Sequence, residues 1–280
     1  MPYQQARPRV TGSVAPARQV EEVWLRFQGS VALVTGGVSG LGFGAAARVA
    51  AGGGSVALLD LDQAGGRAAV AHLGDRARFF ECDVRDAAAV AEAVGMAAEE
   101  WGRIDILVNA AGVAPAQRLI SRDGDLFDLD LFKFVIEVNL IGTFDVTRNV
   151  AAVMARNEPD PGGERGVVVN VASIAAFEGQ VGQAAYSASK AGIVGMTLPL
   201  ARDLGSLGIR VMTIAPGIMD TPLLASAPDE LKESLARLHV FPQRLGTAED
   251  FAHLVEAIVE NPMLNGEVIR LDAAARMPPR

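Results

Sequence analysis

Seven short runs rich in valine, isoleucine and leucine recur along the chain: Val31–Thr35, Ser55–Asp60, Ala77–Cys82, Ile104–Asn109, Gly166–Ala172, Ile209–Ile214 and Glu267–Leu271. Alanine-rich stretches of helical period separate them, near 41–52, 62–73, 86–101, 128–157, 184–206 and 248–260. Continuous apolar β-branched runs suit strands buried on both faces, and their alternation with helices implies a parallel sheet covered on each side. The expected fold is therefore α/β: one doubly wound domain with seven parallel strands, spanning 28–280, with no Pro/Ser-rich linker to mark a second. Half of the 280 residues are hydrophobic, enough for a sizeable core.

Residues 1–27 stand apart. Their first nineteen positions carry arginines and prolines but no acid, and they lack an apolar period, so a disordered leader is expected there. An Arg-rich transit peptide is the alternative. A net charge of −8 argues against a nucleic-acid-binding surface. One cysteine, Cys82, and three scattered histidines offer neither a disulfide framework nor metal-ligand spacing. No apolar run reaches the ~20 residues of a membrane span. Twenty-two arginines against three lysines fit a GC-rich bacterial coding sequence, for which a cytoplasmic location is expected.

After the first strand comes TGGVSGLG, Thr35 to Gly42. Glycines between a strand and a helix allow a pyrophosphate to approach the backbone and the helix N-terminus, as in a Rossmann-like sheet. Gly36, Ser39, Gly40, Leu41 and Gly42 are the expected contacts. A glycine-rich turn can also serve packing alone, so the later strand ends matter. The second strand closes on Asp60, where a carboxylate can accept from an adenosine ribose and repel a 2′-phosphate; this favours NAD over NADP. A helix N-cap is the plainer role for Asp60. Asp83 and Val84 follow the third strand as candidates for the adenine amino group and ring face. Asn109, Ala110 and Gly112, in NAAG after the fourth, keep side chains small where a cofactor would lie.

The decapeptide QAAYSASKAG, 183–192, places Tyr186 four residues before Lys190, on one helix face. A phenol with a pKa near ~10 is a poor base at neutral pH, and a neighbouring ammonium stabilises its phenolate. By itself the pair fits an amphipathic surface. With Ser173 thirteen residues earlier and the glycine turn upstream, it reads as a general base with its activator, Ser173 holding the substrate oxygen. Lys190 can also reach the nicotinamide ribose. Asn139, in EVNLIGT, is a poor helix-interior residue and is expected to support a water linking Lys190 to solvent. Ser187 and Ser189 are expected to point away from this face. Two longer segments, 113–128 and 216–247, follow strand carboxyl ends and are expected to wall and cover a substrate pocket, surface elaboration being the alternative.

At these residues the chain resembles the short-chain dehydrogenase/reductase family over 29–272, through TGGVSGLG, NAAG, Asn139, Ser173 and YSASK. Within it the resemblance is closest to type II 3-hydroxyacyl-CoA dehydrogenases, also described as type 10 17β-hydroxysteroid dehydrogenases. The runs that carry this are RNEPDPGGERG, SIAAFEGQVGQAAYSASKAGIVGMTLP, RVMTIAPG, TPLL and ENPMLNGEVIRLD. The resemblance implies NAD-linked oxidation of a 3-hydroxyacyl-CoA thioester, with steroid alcohols as alternative substrates, and a homotetramer. It implies that Gln183 lines the substrate site with Ser173 and Tyr186. Pro216, Gly217, Ile218 and Thr221 join the cofactor contacts, Ile218 and Thr221 at the nicotinamide amide. Gln180 and Gln183 are candidates for the thioester carbonyl, and Arg118, Arg122 and Arg244 for the coenzyme A phosphates, although Asp123, Asp125 and Asp128 crowd the first two. A non-catalytic dinucleotide-binding subunit of a larger assembly is the rival reading, which the intact Ser173, Tyr186, Lys190 and Asn139 set disfavours.

Overall fold

A computed structural model of the chain describes residues 25–279, except 222–223 and 225–227. The leader expected over 1–27 lies outside the described residues up to position 24. Phe27 does not behave as leader: it is buried in the core, and a Cβ on Gly52 would lie 2.8 Å from its own Cβ. The packed chain thus begins before residue 28.

The seven strands are β1 (Val31–Thr35), β2 (Ser55–Asp60), β3 (Ala77–Glu81), β4 (Ile106–Asn109), β5 (Gly166–Val171), β6 (Ile209–Pro216) and β7 (Val268–Leu271). They form one parallel sheet in the order β3-β2-β1-β4-β5-β6-β7. The α-helices among the described residues are α1 (Gly40–Ala51), α2 (Gln63–Leu73), α3 (Ala87–Trp101), α4 (Leu129–Ile136), α5 (Thr143–Met154), α6 (Ala184–Gly205), α7 (Asp229–Ala236) and α8 (Ala248–Glu260).

Strand alternation divides the core in two. Ala32, Val34, Val56, Leu58, Ile106, Val108, Val167 and Val169 face α1 and α8, whereas Leu33, Ala57, Leu59, Leu107 and Val168 face α3 and α5. Gly44 lets α1 and α8 touch, since a Cβ there would lie 2.7 Å from that of Ala248. Asp62 caps α2 by accepting from Ala64 and Gly65 N–H, Asp86 caps α3 in the same way, and Thr247 and Asp250 close a capping box on α8. The cap expected of Asp60 therefore belongs to Asp62, two residues on.

The single helix expected over 128–157 runs unbroken from 129 to 154 but changes its period within. Between α4 and α5, residues Glu137–Gly142 form a π turn, which adds one residue to the helical ring. β1 sits between β2 and β4, so the crossovers leave it in opposite directions and open a crevice at the carboxyl ends of β1 and β4.

Candidate active site

That crevice begins at the glycine turn. Gly36 has φ +62°, in the left-handed region, and a Cβ there would lie 2.9 Å from the Ala111 Cα; one on Gly42 would lie 2.2 Å from the Gly36 carbonyl oxygen. Only glycine fits either place. The Thr35 hydroxyl, which the sequence did not single out, accepts from both Ala110 and Ala111 N–H at 3.1 Å and ties the β4 exit to the turn. Ser39 is the N-cap of α1 but makes no side-chain cap, and the first turn carries no acid. An anion is thus accommodated at that N-terminus without a competing carboxylate.

Asp60 ends β2 half-buried. Its Oδ1 accepts from Leu61 N–H (2.8 Å) and Asp62 N–H (3.2 Å), both on one oxygen. Asp83 is held differently: Arg85 grips both its oxygens and holds the carboxyl below its ordinary range. Val84 packs where a Gly142 Cβ would be, 2.8 Å from its own Cγ2. Asn109 turns its side-chain amide away, donating to Thr147 Oγ1 and Asn170 Oδ1 at 2.9 Å in a buried network, so its backbone is what faces the crevice. Glycine at 112 leaves room beside the reactive groups, as a Cβ would stand 3.2 Å from Asn139 Oδ1 and 3.5 Å from Lys190 Nζ.

Ser173 follows β5, its Oγ accepting from Ala175 N–H at 3.1 Å. Tyr186, in the first turn of α6, lies beside the Ser173 hydroxyl. Burial pushes the Tyr186 phenol up, and the neighbouring Ser173 hydroxyl acts in the opposite direction. The phenolate expected from Lys190 alone is therefore opposed by desolvation. The Lys190 ammonium lies 5.8 Å from the Tyr186 ring centroid and donates to Val171 O at 2.8 Å. Burial pulls its pKa down to about 8, which still leaves it mostly cationic at neutral pH.

Asn139 sits on the π turn and is fully buried. Its Oδ1 accepts from Val113 N–H (2.8 Å), while Nδ2 donates to Val113 O (2.9 Å) and Ser189 Oγ (3.0 Å). Ser189 in turn donates to Tyr186 O at 2.7 Å. The expectation that Ser189 points away fails: it links Asn139 to the α6 turn that carries Tyr186.

Gln183 precedes α6, and its Oε1 accepts from Gln180 N–H. Gln180, a candidate for the thioester carbonyl, instead donates its side-chain amide to Pro278 O. Gln117 N–H donates to Gly182 O, fastening 113–128 beside this strip, and Ile120 and Leu126 form an antiparallel bridge in that segment. Arg118 and Arg122 are exposed there. Arg244 is engaged elsewhere, paired in two contacts with Asp250 at the start of α8. Pro216 ends β6, Gly217 N–H donates to Leu271 O, and Ile218 O accepts from Gly246 N–H, folding 216–247 back on itself; Thr221 follows on the same segment.

A family model described as short chain dehydrogenase matches residues 30–232. The chain belongs to the short-chain dehydrogenase family. It is 54% identical over 253 residues to the 3-hydroxyacyl-CoA dehydrogenase type-2 of Homo sapiens, covering 90% of this chain and 97% of that one. The Drosophila melanogaster protein of the same name is 51% identical, over 89% and 98%. Among solved structures, a 3-hydroxyacyl-CoA dehydrogenase type-2 from Mycobacterium avium superposes with a TM-score of 0.86 at 42% identity, covering 95% of this chain and all of that one. Family membership accounts for the seven-stranded parallel sheet and makes the protein an oxidoreductase of secondary alcohols.

Proposed function

We propose that the protein oxidises a short 3-hydroxyacyl-CoA thioester to the 3-ketoacyl-CoA with NAD. The observation that carries this reading is the joint placement of Ser173, Tyr186 and Lys190: a serine hydroxyl beside the phenol, and an ammonium one helical turn beyond it. The names and identity of the relatives supply the substrate class.

Ser173 Oγ and Tyr186 Oη hold the substrate hydroxyl between them. As the carbinol C–H bond breaks, its electron pair leaves as hydride and the hydroxyl proton passes to the Tyr186 phenolate, forming the C=O bond. NAD, when bound, supplies the hydride acceptor. Lys190 favours the phenolate and orients the nicotinamide ribose, and Asn139 holds Val113 and Ser189 in place around both. Gly36, Ser39, Gly40, Leu41 and Gly42 fit a pyrophosphate; Asp60 fits an unphosphorylated ribose and so supports NAD over NADP. Asp83, Val84, Ala110, Gly112, Pro216, Gly217, Ile218 and Thr221 complete the proposed cofactor contacts, with Asn109 contributing through its backbone. Gln183 is the proposed substrate-side contact. A cytoplasmic homotetramer is the assembly we propose, the tetramer on the subgroup resemblance and the location on the arginine-rich, lysine-poor composition.

Tyr186→Phe is expected to leave the Kd for NADH, read by its fluorescence, within about twofold while lowering kcat at least ~10²-fold, the usual loss of a general base. Turnover near wild type would remove Tyr186 from the base role. Faster oxidation of a 17β-hydroxysteroid than of 3-hydroxybutyryl-CoA would replace the substrate class and leave the chemistry standing.

A further inference from the structure

Two segments beside the site meet at a part of the chain for which the proposed chemistry has no use: the end of β7 and the tail after it. Gly217, on the segment leaving β6, donates to Leu271 O at 2.9 Å, and a Cβ on it would stand 2.8 Å from that of Asp272. Val240, in the same long segment, donates to Ala273 O at 2.9 Å. The strip 177–183 is held more heavily. Gln180 Nε2 donates to Pro278 O and Val181 N–H to Pro279 O, each at 3.1 Å. Glu178 gathers three donors: Arg270 at 2.9 Å, Arg276 at 3.3 Å and the Met277 N–H at 3.0 Å. The Arg270 guanidinium also lies 5.4 Å from the Phe177 ring centroid. Ala273 and Ala274 adopt φ of 47° and 62°, a left-handed geometry that is unfavourable for a non-glycine residue and persists only where surrounding contacts hold it.

We propose that residues 270–279 form a strap that positions the strip 177–183, and the substrate with it, and that Glu178 is the positioning residue through which the strap acts. This rests on the dehydrogenase reading above, because the strip runs through Gln183 directly into the turn that carries Tyr186. With Glu178 neutral, Arg270 and Arg276 retain only Asp272 as an anionic partner among the described residues, and the strip loses its ionic tether to the tail, keeping the hydrogen bonds of Gln180 and Val181. Ordering the strip then falls to substrate binding, which weakens it. The glycine turn has its own anchors in Thr35 and Ala111, and Gly217 keeps its backbone bond to Leu271 O, which does not depend on Glu178, so the cofactor is spared.

The test compares full-length wild type with Glu178→Gln by hydrogen exchange, NADH binding and steady-state kinetics on 3-hydroxybutyryl-CoA. Exchange at 177–183 should rise and KM should increase, each about tenfold, with kcat within about threefold and the NADH Kd within about twofold. Deleting Pro278–Arg280 removes the hydrogen bonds to Gln180 and Val181 but keeps the ion pairs, so it should shift both readouts the same way by less; it also guards against simple unfolding of the glutamine variant. Unchanged exchange in both variants, or raised exchange with an unchanged KM, overturns the strap. A wild type that binds NADH but does not turn the thioester over defeats the dehydrogenase reading instead. The strap is then judged by exchange and by the Kd of the same thioester, and no change in either overturns it.

Discussion

Replacing Lys190 by methionine should stabilise the protein at neutral pH while destroying its activity. The ammonium is buried and has one protein acceptor, Val171 O at 2.8 Å. Burial takes its pKa from 10.5 to about 8. At about 1.4 kcal/mol per pH unit, that drop means that holding the charge inside costs the folded state roughly 3 kcal/mol. Methionine has nearly the same length and no charge, but it leaves Val171 O without its donor, at ~1–2 kcal/mol. The net gain expected at pH 7 is therefore about 1–2 kcal/mol. The sign of the pH dependence is sharper than the size. Between the folded value near 8 and the unfolded value of 10.5, the unfolded chain binds more protons at this site, so wild-type stability rises with pH relative to the variant. The cost is complete below pH 8 and is relieved as pH climbs toward 10.5. Urea unfolding followed by tryptophan fluorescence, at fixed protein concentration and at pH 7 and 10, measures the difference between the two proteins. It should move by about 2–3 kcal/mol in favour of wild type. A difference that did not change with pH would refute the buried-charge account, and a methionine variant with near-normal turnover would refute the role given to the ammonium.

Asp60→Ala should cut the ratio of kcat/KM with NAD to that with NADP at least about tenfold, some ~1.4 kcal/mol, by removing both the ribose acceptor and the charge that repels a 2′-phosphate; a wild type that already prefers NADP would refute this. Ala273→Gly should raise stability by about 1 kcal/mol in the same urea assay, because glycine adopts φ near +47° without strain. A less stable glycine variant would contradict the left-handed turn. Arg210→Met should cost roughly 3–5 kcal/mol, since Arg210 is buried against Glu164 and donates to the carbonyls of Ile258, Val259, Asn261 and Leu264 at the end of α8. Adding Glu164→Gln should recover part of that loss by removing the stranded carboxylate.

What could be read from the sequence was whatever depends on short range. β1, β2 and α8 match their expected limits because apolar runs and caps mark both ends. The Tyr186 and Lys190 pair was legible because a helix fixes neighbours at four residues. What was not legible depends on contacts made across the fold. Ser189 looked idle on a helical wheel, since nothing local shows that Asn139, fifty residues away, would reach it. Asp60 and Asp62 are both plausible caps by type, and only the path of the chain after β2 decides for Asp62. Arg244 looked like a phosphate ligand until Asp250 was found beside it. The tail after β7 carried no motif at all, and its charged residues acquire a role only because β7 brings them back to Glu178.

The π turn ties these levels together. Had residues 129–154 continued as an ordinary α-helix, each later residue would keep its 3.6-residue phase, and the face that packs α5 on the sheet would also dictate where Asn139 points. One extra residue in the ring releases that coupling. α5 can bury Val146, Val150 and Met154 in the core, while Asn139 independently turns to clasp Val113 at both its N–H and its carbonyl. Val113 starts the segment that reaches Gly182, and Ser189 connects the same amide to Tyr186 O. A single buried asparagine thus fixes the exit from β4 relative to the helix that carries Tyr186. An aspartate could accept from Val113 N–H, but it has no N–H to give to Val113 O, so an amide is needed at this point rather than any polar residue.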